Sequence, residues 1–120
     1  RSSFVQYETI KIMRLLVFLA KGFETIEFSA FIDVMGWAKT DFDCDIETVI
    51  CGLNSKVVGS FNVSVLVDKT IEEVSADDYD ALAIPGGFEE FGFYEEAYNE
   101  KLLDLIRQFN SQRNGLQQSA

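Results

Sequence analysis

The hydrophobic pattern is densest at Leu15–Ala20, six consecutive apolar residues bounded by Arg14 and Lys21. A run this short cannot cross a bilayer. Its lack of alternation predicts a strand over Arg14–Ala20, covered on both faces as in a parallel sheet. Lys21-Gly22 ends it, and the period then changes. Phe28, Phe31, Ile32 and Met35 fall at i, i+3, i+4 and i+7, which predicts a helix from about Glu24 to Lys39. Glu24 and Glu27 lie in its first turn or two, where the helix dipole favours carboxylates.

Further along, Glu47–Cys51 reads as a second strand closed by Gly52. Lys56–Gly59 and Asn62–Val67 are short β-rich runs that predict a small antiparallel excursion. Ile71–Asp78 is acidic and spaced for a single helical turn. Tyr79–Ile84 is the next core strand, stopped by Pro85-Gly86-Gly87. After the aromatic, acidic loop Phe88–Phe93, helical spacing returns over Asn99–Asn110, with Leu102, Leu105, Ile106 and Phe109 on one face. Strand, helix, strand, hairpin, strand, helix predicts an α/β fold: a doubly wound sandwich with right-handed crossovers.

Composition narrows the function. Nearly half of the 120 residues are apolar and only one is proline, as in a packed domain. Twenty acidic residues against ten basic ones give a net charge of −10. Such a surface repels phosphate backbones and anionic headgroups, so neither nucleic acid nor membrane is an expected partner. Two cysteines, Cys44 and Cys51, with no recognisable secretory leader, point to reduced thiols and a cytoplasmic setting. The chain has no histidine, which removes Cys-His and Ser-His catalysis within it and any ordinary zinc site. No cofactor and no metal are expected.

Two stretches make the reading specific. Leu19-Ala-Lys-Gly-Phe-Glu-Thr-Ile-Glu-Phe-Ser-Ala-Phe-Ile-Asp-Val-Met35 and Tyr79-Asp-Ala-Leu-Ala-Ile-Pro-Gly-Gly87, in this order and at strand ends, resemble the ThiJ/PfpI superfamily. That group includes the Parkinson's-linked protein deglycase and the PfpI-type intracellular proteases. The resemblance runs from about Met13 to Gln112. It implies a flavodoxin-like, class I glutamine amidotransferase-like sandwich, often assembled as a homo- or heterodimer, acting on small carbonyl or peptide-like substrates.

It also implies roles. Glu27 occupies the place of a glutamate that hydrogen-bonds the family's nucleophilic cysteine, and a carboxyl held beside a thiol can donate to a thiolate. Glu24 and Asp33 match acidic positions on the same helix. Gly86 and Gly87 form the turn whose N–H groups lie near the nucleophile, where a side chain would block a substrate oxyanion. Read without the resemblance, an early-helix glutamate is a dipole partner and Pro-Gly-Gly is a turn. The resemblance requires Glu27 and the Gly86-Gly87 turn to share one cavity.

Departures matter as much. The family places a short apolar strand ending in a cysteine after the Asn99–Asn110 helix. Here the chain reads Arg113-Asn-Gly-Leu-Gln-Gln-Ser-Ala120 instead. One codon choice for that tail, AGA AAT GGA TTG CAG CAA TCT GCG, read from its third nucleotide, encodes Lys-Trp-Ile-Ala-Ala-Ile-Cys. The tail is therefore read as a frameshifted form of the catalytic strand, and residues 1–12 as an extension before a natural start at Met13. Cys51, at a strand end, reads as a structural thiol. Cys44, among Asp41, Asp43 and Asp45, is a poor nucleophile. The expected function is thus a truncated enzyme-family chain that is inactive alone. Two alternatives are a non-catalytic, heterodimerising α/β domain and a flavodoxin-like nucleotide- or flavin-binding domain. The last is opposed by Lys21-Gly22-Phe23-Glu24, which puts an acid where phosphate would sit.

Overall fold

The computed structural model describes residues 12–41 and 45–112. Cys44, the tail from Arg113 and all of the proposed extension except Ile12 lie outside the described residues.

In chain order the elements are β1 (Met13–Leu19), α1 (Thr25–Asp41), β2 (Ile46–Gly52), β3 (Lys56–Val58), β4 (Ser64–Leu66), β5 (Lys69–Thr70), β6 (Ala81–Ala83), α2 (Phe93–Ala97) and α3 (Glu100–Gln112). Four strands form a parallel sheet in the order β5-β2-β1-β6. The uninterrupted apolar run explains why β1 is central. It pairs with β2 from Met13↔Ile46 to Leu19↔Gly52 and with β6 from Leu15↔Ala81 to Val17↔Ala83. β3 and β4 form the expected antiparallel hairpin.

Alternation along β1 divides the core in two. Leu16, Phe18 and Ala20 join Val49 and Cys51 of β2 under Leu102, Leu105 and Phe109 of α3. Leu19 faces the other way, with Phe23 and Val57, against Phe28 of α1 and Ile50. The two helices therefore cover opposite faces, as a doubly wound fold requires.

Four differences from the sequence reading have physical causes. The strand expected over Tyr79–Ile84 is only Ala81–Ala83. Asp80 closes its start by accepting the Arg14 N–H on its carboxylate while its own N–H donates to the Arg14 carbonyl. β5 and α2 were not expected, being two and five residues long. The acidic stretch Ile71–Asp78 holds two 3-10 turns, Ile71–Glu73 and Ala76–Asp78, rather than one helical turn. Thr70-Ile-Glu-Glu73 carried a legible signal for the first, since the Glu73 carboxylate accepts the Thr70 N–H at 2.8 Å. Finally, α1 turns the expected face inward, but Phe28, Phe31, Ile32 and Met35 are only half-buried, while Ile26, Val34 and Trp37 are exposed. The helix is apolar on both sides and the sheet covers one of them.

Candidate functional site at the carboxyl ends of β1 and β6

Neighbouring strands β1 and β6 send their chains to opposite faces, one into α1 and the other towards α3. A crevice opens at the carboxyl ends of strands that diverge in this way, and it is where open α/β sheets place their sites. The first family-like stretch begins there and the second ends there.

The first turn begins with Gly22, whose φ of 76° is left-handed. A Cβ at Gly22 would also meet the Phe91 carbonyl oxygen at 2.9 Å. This backbone is stitched directly to the Pro85-Gly86-Gly87 turn. The Glu24 N–H donates to the Gly86 carbonyl at 2.8 Å, and the Phe88 N–H donates to the Gly22 carbonyl at 3.1 Å. Between them Phe23 and Gly87 form an isolated antiparallel bridge. Gly87 must lack a side chain, because a Cβ would stand 2.4 Å from the Gly22 carbonyl oxygen and 2.3 Å from Cδ1 of Phe93.

Glu27, in the first turn of α1, then reaches across, and its Oε1 accepts the Gly86 N–H. Glu27, Phe31, Ala83, Ile84 and Pro85 line a cavity of about 160 Å³. That is smaller than the roughly 300–1,000 Å³ of sites for drug-sized ligands, so it has room for a small molecule only. Of the acidic candidates, Glu24 acts here through its backbone. Asp33 lies further along α1, exposed and outside the cavity lining. Among the described residues no three Cys, Asp or Glu side chains converge closely enough to hold a metal ion.

Two supports were not legible in the sequence. The buried Ser60 hydroxyl, from the β3–β4 connection, accepts the Thr25 N–H at 3.2 Å, and the Ser60 N–H donates to the Phe23 carbonyl at 2.8 Å. An orphan donor of the α1 start is thus satisfied from 35 residues away. Opposite it, the Lys21 N–H donates to Glu96 and Lys21 Nζ pairs with Glu95 at 3.0 Å, which raises the lysine pKa through that hydrogen bond. This fastens α2 over the turn.

Cys51 is a free thiol that packs among Leu16, Phe18 and Leu102 on the α3 face, away from the Glu27 side of the sheet. Burial pushes its pKa from 9.0 up to about 12. The folded state keeps a proton that the unfolded chain gives up. This contribution to stability is whole below pH 9.0 and is lost as the pH rises towards about 12. Iodoacetamide at pH 8 should leave Cys51 unmodified in the folded chain and label it in urea, as read by peptide mass spectrometry. Cys51→Ala should flatten the alkaline loss of stability in that window. Labelling of Cys51 at equal rates with and without urea would contradict its burial.

A parallel α/β sandwich with a carboxylate hydrogen-bonded to a glycine turn at its switch point defines the class, a doubly wound flavodoxin-like protein. Residues 13–116 match the DJ-1/PfpI family profile, and the chain belongs to the DJ-1/PfpI family. An uncharacterised protein of Staphylococcus aureus strain Mu50 is 39% identical over 77 residues, covering 62% of this chain and 42% of that protein. The Arabidopsis thaliana protein DJ-1 homolog B is 31% identical over 94 residues, which cover 78% of this chain and 20% of it. Among solved structures, Drosophila melanogaster DJ-1beta superposes with a TM-score of 0.71 at 30% identity, over 85% of this chain and 52% of that one. Toxoplasma gondii DJ-1, in an oxidised form, gives 0.66 at 27% identity over 83% and 51%. The chain spans between about a fifth and about half of the length of these relatives.

Proposed function

We propose that this chain carries the carboxylate and glycine-turn portion of a cysteine-dependent site of the deglycase, glyoxalase or protease type, for a small carbonyl or peptide-like substrate. The observation that supports it most is the hydrogen bond between the Gly86 N–H and Glu27, 59 residues apart, at the edge of a small cavity. Glu27 would orient and hydrogen-bond a nucleophilic sulfur. Gly86 and Gly87 would offer N–H groups to an oxyanion, with the Gly86 donor passing from Glu27 to substrate. Glu24 fixes the turn, and Asp33 adds a second acid on the helix.

In this reading neither cysteine of the chain is the nucleophile. Cys51 is held protonated in the core, and Cys44 stands in a negative sequence neighbourhood. The purified chain should therefore consume methylglyoxal no faster than buffer, and measurable turnover would overturn this part. A chimera of residues 13–112 with the portion of Drosophila DJ-1beta that this chain leaves uncovered should consume it. Glu27→Ala in the chimera should lower kcat by about 10²-fold with KM little changed. An equally active variant would remove Glu27 from the mechanism.

Association with another family member, as a homo- or heterodimer, is a second reading. It is favoured by the exposure of Ile26 and Phe61, which flank the Thr25–Ser60 contact, and of Leu66 on β4. The net charge of −10 disfavours nucleic acid and anionic membranes as partners. Among the described residues no helix is long and apolar enough to cross a bilayer. A free thiol at Cys51 fits a cytoplasmic setting.

A further inference from the structure

The turn that joins β3 to β4 holds a conformation that its own residues do not favour. Phe61 and Asn62 stand side by side at φ 54° and 67°, in the left-handed region. A phenylalanine is strained there, and such strain persists only where surrounding contacts over-determine it. Here the Gly59 N–H donates to the Val63 carbonyl at 2.7 Å, and the Asn62 N–H donates to the Gly59 carbonyl at 3.2 Å. Gly59 itself lies so close to the Phe23 ring that a Cβ would stand 2.5 Å from its Cζ. The turn sets Ser60, only 3% exposed, against the start of α1.

Ser60 holds both neighbours of Glu24. Its N–H donates to the Phe23 carbonyl at 2.8 Å, and its hydroxyl oxygen accepts the Thr25 N–H at 3.2 Å. Thr25 Oγ1 donates to the Ser60 carbonyl at 3.3 Å and lies 3.1 Å from Ser60 Oγ. With the threonine proton on that carbonyl, the Ser60 hydroxyl is left to donate to Thr25 Oγ1, and every polar group is used. Capping α1 would need only the contact to the Thr25 N–H. The grip on the Phe23 carbonyl and on the Thr25 hydroxyl goes further. From the other side the Gly86 carbonyl accepts the Glu24 N–H at 2.8 Å. Residues 23–25 are therefore clamped between the hairpin and the glycine turn. The Glu24 carbonyl, fixed by that clamp, accepts the Glu27 N–H at 3.1 Å, and the Glu27 carboxylate returns to the Gly86 N–H.

We propose that Ser60 is a positioning residue for Glu27, acting through Thr25 and the Glu24 carbonyl to hold the carboxylate at the Gly86 N–H. Its catalytic meaning rests on the reading given above, in which Glu27 serves a nucleophilic sulfur. The placement itself belongs to this chain and can be measured without turnover. It makes the β3–β4 hairpin part of the frame of the site.

The test is proton NMR of the Gly86 amide, because an N–H that donates to a carboxylate shifts when the carboxylate takes up a proton. The signal should move as the pH falls through the carboxylate range, and Glu27→Gln should abolish that movement. Ser60→Ala should lose most of it. Thr25→Val, a change of nearly equal size that deletes a hydroxyl, should reduce it, whereas Thr25→Ser, which keeps the hydroxyl, should preserve it. Leu105→Ala empties a buried site on the opposite face of the sheet, so it destabilises the fold but should leave the Gly86 signal titrating as in the parent. Unchanged titration in Ser60→Ala, or in Thr25→Val should Ser60→Ala not fold, would overturn the proposal. So would an equal loss in Leu105→Ala, since Ser60 would then act only through general stability. Either result leaves the catalytic reading intact if Glu27→Gln abolishes the movement. A Gly86 signal that still titrates in Glu27→Gln would remove the Glu27–Gly86 bond, and the catalytic reading would fall with it.

Discussion

Gly87→Ala is expected to cost about 3 kcal/mol of stability, at the upper end of what overpacking does, because its methyl group would meet backbone as well as a ring. The Gly22 carbonyl oxygen, 2.4 Å from the added Cβ, belongs to the stitch between the two turns and cannot rotate away. Relief requires the Pro-Gly-Gly turn to separate from the start of α1, which pulls Gly86 off Glu27. Urea denaturation should show a lowered midpoint, and exchange at the Glu24 and Phe88 amides should quicken. Gly36→Ala is the matched control. Gly36 lies within α1 with nothing within 4 Å of its added Cβ, so alanine should stabilise by about 0.5–1 kcal/mol. Equal effects at the two positions would mean that the turns are not held as tightly as the contacts imply.

Phe18→Ala should lose about 3–5 kcal/mol, the range for emptying a phenylalanine site in a packed core. Phe18 is completely buried on the central strand, between the β2 register partner Cys51 and the α3 side of the core. A loss of that size is a large share of the roughly 5–15 kcal/mol typical of a folded domain. The contrast is Phe61, a ring of the same size that is 81% exposed. Its φ of 54° is strained for any residue but glycine. In Phe61→Gly, relief of that strain offsets the lost edge-on contact with Phe91, so the net change should stay within about 1 kcal/mol. Similar losses for the two variants would contradict the assignment of the core.

How legible each part was depended on the range of the interaction behind it. Leu15–Ala20 could be read as a covered strand because an unbroken apolar run has one economical solution in water. The same holds for α3, whose Leu102, Leu105 and Phe109 are all buried as the spacing implied. Glu27, Gly86 and Gly87 were legible only through two family-like stretches, and the distance between them was not. For α1 the period identified the inner face correctly, yet period alone could not say how deeply that face would sink. β5 and α2 are too short for any period to register.

The sequence by itself determined the local terms: strand and helix type, the glycine turns, the acidic surface and the family. Each follows from a few neighbouring residues, whose side-chain spacing and backbone preferences act without reference to the rest of the chain. Only the tertiary structure decided that the Gly86 N–H meets Glu27 and that Ser60 serves the start of α1. Those contacts join residues 35 and 59 positions apart. They exist because parallel strands under right-handed crossovers bring distant carboxyl ends to one crevice, a consequence of chain path that no local pattern encodes.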